Sequence, residues 1–568
     1  MYVWEQAQKQ ISQELKKHLG QKFAVSASDL LTPPNPKMGH LAFVCFAAAK
    51  SLKRNPQELA AELVLKIKTE GLIQAVEAQG PYLNFFLDLQ NFGAAVLSEI
   101  LKEGKQYGRN ATGQKKKVMV EYANPNTHKD VHVGHLRNFV VGQVAVNLLN
   151  ENGYQTIPVS YINDLGANVA ACLWGIKNLS KGKEPKKQDQ MQFLSRMYVK
   201  ATAQMQADPK VKEAVSKIHL ELEEQKGEYL NLWKKTHKWS EDYLKSVFAD
   251  FNLPIQKYYW ESDLIADTKK AVQELLKKKI AKKSQGAIIV DLEKQNLGVD
   301  LLVKSDGALL YNAKDIALAV KKKKDYQAEQ SIYVIDARQS LAMKQLFAVL
   351  AKMKFKQDLR HLAYDFVTLP EGAMSSRKGT VIRYEDFRDE VTALARKETK
   401  KRHKGWSAKK LDQTARSIAL AAIRFSMLKQ DLNKVIVFDP QEALAFDGYS
   451  GPYLLYTYAR INSILKKAGQ ASGQPKGDDL QETVERELVM LLAQYPSVVR
   501  EAGETLQLSQ LVHYAFDLSK KFAEYYERVP VAQAEPEVRA TRLATVKSVQ
   551  QVLANVLTLL SIEPVKEM

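Results

Sequence analysis

Two histidines, His132 and His135, lie three residues apart where a strand-like run is followed by a long apolar helix. The run covers residues 118–122, and the helix is predicted over 134–150. The N–H groups of a first helical turn attract anions, and neighbouring imidazoles can donate hydrogen bonds to developing charge. Gly134, between them, lets a ligand approach the backbone closely. The segment therefore predicts an anion site, with a triphosphate as the obvious ligand, although histidines at this spacing also cap or pack.

A second group of candidate residues lies in the glycine-bounded stretch 372–379. This stretch offers two hydroxyls, from Ser375 and Ser376, and two cations, from Arg377 and Lys378. Such a composition suits a loop that closes over phosphate, and it also suits an exposed basic turn.

The surrounding sequence predicts an α/β core that would position both groups. Strand-like and helix-like segments alternate at 118–122, 134–150, 156–161 and 165–176, and strand-like runs return at 287–291, 331–335 and 362–368. This alternation is typical of a parallel sheet with crossover helices. Residues 178–255 have no strand signal and predict a helical insertion.

The two ends of the chain differ from this core. The first 112 residues predict a small α+β unit, with helices at 5–18, 41–52 and 56–67 and a strand at 82–87. The last part predicts an all-α bundle, with helical periodicity at 453–467, 480–492, 506–525 and 538–560. We therefore expect three domains, at 1–112, 113–440 and 441–568.

Composition limits the function classes. The 568 residues are 45% apolar and 26% charged, and no apolar run approaches the roughly 18 residues of a membrane span. With only two distant cysteines, Cys45 and Cys172, the sequence suggests neither a disulfide framework nor a cysteine zinc site. Because no secretory signal opens the sequence, we expect a cytoplasmic protein without membrane partners.

The formal net charge of +19 predicts a polyanionic partner, of which nucleic acid is the commonest. Lysine-rich clusters occur at residues 115–117, 277–283, 321–324 and 397–404. Each cluster is either a solvated helix face or part of a nucleic-acid surface.

In their order on an α/β core, residues 132–135 and 374–378 resemble the two signature motifs of class I aminoacyl-tRNA synthetases. Within that class, the chain resembles arginyl-tRNA synthetases over essentially its whole length. The other motifs that carry the resemblance are 33–39, 80–86, 121–126, 163–166, 311–315, 333–339, 451–453, 458–461 and 551–568. The resemblance implies a Rossmann-like catalytic core, an N-terminal tRNA-binding domain and a C-terminal anticodon-binding bundle.

The resemblance also implies the roles of individual residues. The catalytic residues would be His132, His135, Arg377 and Lys378. ATP would be bound by His132, Gly134, His135, Met374, Ser375, Ser376 and Lys378. Arginine would be bound by Glu121, Asn124, Asn126, His135, Tyr311, Asp315 and Gln339. Transfer RNA would be bound by Tyr82, Asn84, Tyr449, Tyr453, Tyr526 and Met568.

Elementary chemistry agrees with the arginine assignment. A guanidinium is a planar fork of donors that pairs bidentately with a carboxylate, and Asp315 lies one helical turn after Tyr311. Taken by spacing alone, the two residues also fit an ordinary exposed helix pair.

The expected partners are tRNA(Arg), arginine and ATP with Mg²⁺, without a tightly bound metal held by protein ligands. The resemblance further implies a monomer, and tRNA binding before the adenylate forms. The chain departs from the class pattern at Ala373, where most members have a lysine, and at Leu455, where the family often has glutamine. Two alternatives stay open: a synthetase for another amino acid, and a non-catalytic RNA-binding relative.

Overall fold

The computed structural model describes residues 1–20, 23–33, 35–370, 382–469 and 473–568, without the side chains of residues 36 and 537. The chain forms two compact units. Unit 1 consists of Met1–Asn110, Phe446–Ala502 and Gln510–Met568, and unit 2 consists of Ala111–Ala445 and Gly503–Ser509.

The N-terminal part of unit 1 is a small α+β fold. Its elements are α1 (Val3–Leu19), β1 (Leu30–Leu31), β2 (Leu41–Val44), α2 (Phe46–Leu52), α3 (Pro56–Lys66), β3 (Ile73–Gln79), β4 (Tyr82–Leu87) and α4 (Leu89–Glu103). The strands form an antiparallel sheet in the order β1-β2-β4-β3. Helix α3 starts where its sequence predicts, because Asn55 caps it and Pro56 occupies its first turn.

The prediction of one helix over 41–52 is wrong for its first four residues. They form β2, which pairs with β4 and buries Leu41 and Phe43, and only Phe46–Leu52 is helical. A short apolar run fits a buried strand and a buried helix equally well, so tertiary pairing decides between them.

Unit 2 contains the parallel sheet. Its elements up to the insertion are β5 (Lys117–Glu121), α5 (Val133–Glu151), β6 (Gln155–Ile162) and α6 (Ala167–Leu179). The insertion then forms α7 (Gln190–Ala207), α8 (Pro209–Glu223) and α9 (Leu230–Asp250), as predicted. These helices share a core with α6 that includes Leu173, Ala201 and Trp233. The indole N–H of Trp233 donates to the backbone oxygen of Asp164 at 2.9 Å, which ties the insertion to the end of β6.

The rest of unit 2 completes this sheet and adds two smaller ones. The elements are β7 (Lys257–Trp260), α10 (Ile265–Lys277), β8 (Ala281–Ser284), β9 (Ala287–Asp291), β10 (Val299–Val303), α11 (Tyr311–Tyr326), β11 (Gln330–Asp336), α12 (Ser340–Lys352), β12 (Asp358–Tyr364), β13 (Val367–Thr368), α13 (Tyr384–Arg402), α14 (Ala408–Leu428), β14 (Ile436–Val437) and α15 (Pro440–Ala443). The predicted strand at 287–291 exists, but it belongs to an antiparallel sheet of β8, β9 and β10. Its hairpin turns through Gln285 and Gly286, which both have positive φ, as a tight two-residue turn requires.

The large sheet has the order β12-β11-β5-β6-β7, and all its strands are parallel. After β5, the chain adds β6 and then β7 on one side of β5, and it later adds β11 and β12 on the other side. The strands β5 and β11 therefore flank the topological switch point. Ligands of open α/β sheets bind outside the carboxyl ends of strands at such a point. Glu121 ends β5, opposite Tyr333 of β11, and therefore lies at this position.

The C-terminal part of unit 1 is all helical, as predicted. It contains α16 (Gly451–Ala468), α17 (Thr483–Thr505), α18 (Ser509–Arg528) and α19 (Pro536–Leu559). Helix α17 runs well beyond the predicted 480–492 and contains Pro496 in its interior, a residue that usually ends a helix. Within the described part of the chain, no helix is both long and apolar enough to span a membrane.

Candidate active site

The two histidines cap helix α5. His132 is its N-cap residue, and its Nδ1 accepts a hydrogen bond from the backbone N–H of Gly134 at 3.1 Å. In return, Nδ1 of His135 accepts from the backbone N–H of His132, also at 3.1 Å. The ring centroids lie 3.9 Å apart. A Cβ at residue 134 would lie 2.9 Å from Cε1 of His132, so glycine is needed to admit the ring.

This capping fixes the protonation of both rings. Burial and the nearby Lys129 lower the pKa of His132 to about 4. Burial, and then the charges of His132 and Lys129, hold the pKa of His135 well below its usual value. Both imidazoles are therefore neutral at pH 7, and because each Nδ1 accepts a hydrogen bond, each proton is on Nε2. The pair offers two fixed N–H donors, which suits stabilisation of an oxyanion rather than proton transfer.

The histidines line a cleft of about 390 Å³. Its wall is formed by Asn126, Lys129, Asp130, His132, His135, Ser195, Arg196, Tyr198, Val199, Lys200 and Arg383. Five of these residues come from α7 of the helical insertion, so the insertion contributes directly to the site. Lys129, which sequence reasoning missed, lies with its Nζ 4.5 Å from the ring centroid of Tyr198. The cleft carries an excess of cations, as an anion site requires.

The segment that follows the second motif pairs with the histidine segment. The backbone N–H of Val133 donates to the oxygen of Ile382 at 3.3 Å, and that of Tyr384 donates to Val131 at 2.8 Å. Arg383 forms an ion pair with Asp130 at 3.3 Å. The predicted residues of the second motif, with Ala373 before them, lie outside the described residues: Met374, Ser375, Ser376, Arg377 and Lys378.

The predicted arginine ligand Glu121 is buried in an ion pair. Its carboxylate contacts Nζ of Lys322, two turns after Asp315 on α11. That Nζ also lies 3.9 Å from the ring centroid of Tyr333. The side chain of Asn124 donates to Glu121 at 3.0 Å and accepts from the backbone N–H of Tyr161 at 2.9 Å. Glu121 and Asn124 thus already have partners within the protein.

Asp315 differs from Glu121 in having no partner within the described part of the chain. Its carboxylate makes no hydrogen bond or ion pair with any described residue, and it is partly exposed, so a ligand can reach it. Burial, followed by the charge of Glu121, raises the pKa of Asp315 to about 8. An isolated carboxyl group in such surroundings favours a cationic ligand, whose charge would restore the ionised form.

The other predicted arginine residues surround this region. Tyr311 is the first residue of α11 and is 56% exposed. Gln339 lies three residues after the end of β11, as the N-cap residue of α12, and is exposed. Asn126 lines the histidine cleft and forms a β-bridge with Asn163. The switch point of the sheet thus brings together the end of β5, which carries Glu121, and the end of β11, three residues before Gln339.

A buried ionic network supports α11, and sequence reasoning missed it. Lys314, next to Asp315, contacts Glu261 and lies 3.0 Å from Glu223 of the helical insertion. The side chain of Asn163 donates to Glu261 at 2.8 Å. For Lys322, one signal existed: its spacing of seven from Asp315 places both on one helix face.

The tRNA-binding predictions fall on unit 1. On β4, Tyr82 is 43% exposed, whereas Asn84 is only 3% exposed and offers little surface to a base. Tyr449 and Tyr453 both pack on Phe516, with ring centroids 4.9 and 5.5 Å away. Tyr526 is exposed beneath the guanidinium of Arg460, 4.6 Å from its ring centroid, and Met568 is partly exposed.

No group of three or more His, Cys, Asp or Glu side chains in the described ranges is arranged to hold a metal ion.

Comparison with known proteins agrees with this architecture. Three family models match the chain: "Arginyl tRNA synthetase N terminal domain" at residues 5–87, "tRNA synthetases class I (R), catalytic domain" at 96–439, and "DALR anticodon binding domain" at 454–568. The chain is 35% identical over 562 residues to an arginine–tRNA ligase of Bdellovibrio bacteriovorus, covering 96% of each protein. It is 32% identical to that of Clostridium perfringens over 565 residues, 99% of each.

Among solved structures, the arginyl-tRNA synthetase of Thermus thermophilus matches with a TM-score of 0.83 and 27% identity, over 99% of this chain and 100% of that one. The match includes the catalytic sheet, the N-terminal fold and the C-terminal bundle. The predicted fold class is thereby confirmed. The chain belongs to the arginyl-tRNA synthetase family of class I aminoacyl-tRNA synthetases.

Proposed function

We propose that this chain is an arginine–tRNA ligase. It activates arginine with ATP to form arginyl-adenylate and pyrophosphate, and it transfers the arginyl group to the 3′-terminal ribose of tRNA(Arg), releasing AMP. One observation carries the substrate assignment: Asp315 is a partly exposed carboxyl group without a partner among the described residues, on a helix whose buried lysines, Lys314 and Lys322, are both paired.

Asp315 receives the guanidinium of arginine. A carboxylate pairs bidentately with this planar group, whereas lysine would leave one carboxylate oxygen without a partner, at a cost of about 1–3 kcal/mol. Glu121, neutralised by Lys322, contributes an oxygen atom rather than a second net charge. Asn124 positions Glu121, while Tyr311, Asn126, His135 and Gln339 hold the rest of the amino acid.

The histidine cleft receives the phosphates. The arginine carboxylate attacks the α-phosphate, the bond to pyrophosphate breaks, and negative charge builds on the departing group. The Nε2–H groups of His132 and His135 meet that charge from one side. Gly134 keeps the helix terminus accessible, and Lys129 adds a cation. We assign further contacts with the phosphates to Met374, Ser375, Ser376, Arg377 and Lys378 of the second motif, because the family resemblance implies them.

Mg²⁺ enters with ATP as part of the substrate complex. We assign the N-terminal domain (1–112) and the C-terminal domain (441–568) to tRNA binding. The exposed Tyr82 would act in the first, where the buried Asn84 can only support the strand, and Tyr449, Tyr453, Tyr526 and Met568 would act in the second. The catalytic domain is 113–440, with the insertion at about 178–255. We further propose that the protein is cytoplasmic, since tRNA is charged where proteins are made. The family resemblance favours a monomer.

Aminoacylation with each of the twenty amino acids and unfractionated tRNA tests the proposal. We expect aminoacylated tRNA with arginine and with none of the other nineteen amino acids. Equal product with lysine or glutamine would favour a different synthetase, and no product with any amino acid would favour a non-catalytic RNA-binding protein.

A further inference from the structure

The far end of the α13–α14 hairpin has no role in the site described above. Residues 396–410, which we call the basic tip, contain eight lysines and arginines but only one glutamate. They comprise the last turns of α13, a five-residue connection and the first residues of α14. Before the tip, the hairpin is held by buried residues such as Phe387, Val391 and Ile418. The tip is therefore a charged extension of a well-packed support.

In two of the other lysine clusters, several of the charges already have protein partners. In the cluster at 321–324, Lys322 is buried against Glu121, and Lys323 donates to the backbone oxygen of Ala328 at 2.8 Å. In the cluster at 277–283, Lys282 pairs with Asp291 at 2.9 Å. The basic tip differs because it also contains an aromatic side chain, Trp406, which Lys410 contacts.

Trp406 contacts two polar neighbours. The ring of His403 lies parallel to it at a centroid distance of 3.9 Å, and Nζ of Lys410 lies 4.0 Å from its centroid. The connection is fixed as well, since Ser407 caps α14 by accepting from the backbone N–H of Lys410 at 3.3 Å. An indole held this way at a partly exposed position offers a rigid edge to a ligand.

Four lysines of the basic tip face solvent. They are Lys397, Lys400, Lys404 and Lys409, and none of them forms an ion pair with any residue in the described ranges. Because no described carboxylate neutralises these lysines, their charge is available to a polyanion. Cations interleaved with an aromatic group are typical of surfaces that follow a nucleic-acid backbone.

We propose that the basic tip binds the phosphate backbone of the tRNA substrate, an inference that rests on the proposed function. Helix α13 begins beside Arg383 of the histidine cleft, and its 19 residues extend about 28 Å. A long ligand whose 3′ end occupies the cleft can therefore reach the tip with phosphates distant from that end. Phosphate contacts position the ligand without reading its sequence.

Direct binding of a fluorescently labelled tRNA(Arg) transcript tests the inference. The variant combines Lys400→Gln, Lys404→Gln and Lys409→Gln. Its matched control combines Lys277→Gln, Lys278→Gln and Lys279→Gln. These substitutions remove the same amount of positive charge from three exposed positions elsewhere in unit 2. We expect the tip variant to bind about tenfold more weakly or worse, and the slope of log K against log salt concentration to become shallower by about 2–3. The affinity of the control should change less than twofold.

Kinetics and competitors complete the test. In the tip variant, the KM for tRNA should rise, while the KM for arginine and kcat at saturating tRNA stay unchanged. Equal tRNA affinity in the tip variant and wild type, equal losses in variant and control, or binding of polyglutamate as tight as that of tRNA would overturn the inference. Because binding is measured directly, a wild-type protein that fails to aminoacylate refutes the proposed function but leaves this comparison decisive.

The indole is tested separately. Trp406→Ala should weaken tRNA binding, and Trp406→Phe should retain most of it, with unchanged circular dichroism in both. Unchanged binding in Trp406→Ala would remove the aromatic part of the inference.

Discussion

Glu121 and Lys322 form an ion pair whose side chains are only 3% and 1% exposed. The pair joins the carboxyl end of β5 to α11, and so it fixes the strand that leads to the histidines relative to the helix that carries Asp315. Removing one member of a buried pair leaves an uncompensated charge, which costs roughly 3–5 kcal/mol.

Lys322→Met should therefore strongly destabilise the protein. We expect the urea midpoint of unit 2 to fall sharply, and Lys324→Met, at an exposed position of the same helix, to leave it nearly unchanged. The double variant Glu121→Gln/Lys322→Met should regain most of the lost stability, because no charge is left unpaired. A Lys322→Met protein as stable as wild type would show that the pair contributes little.

Asp315→Asn should impair arginine recognition selectively. A charge-assisted hydrogen bond contributes about 1.5–3 kcal/mol, so the KM for arginine should rise roughly 10- to 100-fold while that for ATP stays near its wild-type value. Asp267→Asn, at an exposed site on α10, is the control and should be silent. If the KM for ATP rises as much as the KM for arginine, Asp315 acts on the whole site instead.

Arginine binding should release a proton. The pKa of Asp315 is raised to about 8 without ligand, so at pH 7 the carboxyl is mostly protonated, and the guanidinium binds its ionised form. Affinity should thus increase from pH 6 to 8 and level off above. Calorimetry at pH 7 in buffers of different ionisation enthalpy should show release of about one proton, which Asp315→Asn abolishes. Identical enthalpies in all buffers would contradict the ionisation of Asp315.

His135→Ala should lower the rate of adenylate formation by roughly 10²-fold or more, as loss of an oxyanion donor does. His132→Asn separates capping from catalysis, because asparagine can still cap α5 but lacks the Nε2–H donor. We expect this variant to keep its thermal midpoint and lose activity in single-turnover assays. Near wild-type rates in both variants would limit the histidines to a capping role.

Much of this architecture was predictable from the sequence. The alternation of segments predicts the parallel sheet, and His132 lies at the helix start that its neighbours indicate. The uses of the two rings were harder to anticipate. From the sequence, capping the helix and binding a ligand are alternative roles for each histidine. In the structure, each ring accepts a backbone hydrogen bond through Nδ1, which leaves its Nε2–H for a ligand.

Other features depend on contacts between distant parts of the chain. Nothing local distinguishes Lys322, which is buried, from its lysine neighbours, and the seven-residue spacing from Asp315 is informative only when the helix face is known. Strand β2 was missed because its pairing with β4 outweighs an ambiguous local pattern. The burial of Asn84 likewise follows from its position within that sheet.

The most direct measurement of the central claim is ATP–pyrophosphate exchange with purified protein. We predict exchange that requires arginine, appears only when tRNA is present, and falls sharply in Asp315→Asn. Exchange supported equally by lysine, or by arginine to the same extent in Asp315→Asn as in wild type, would contradict this prediction.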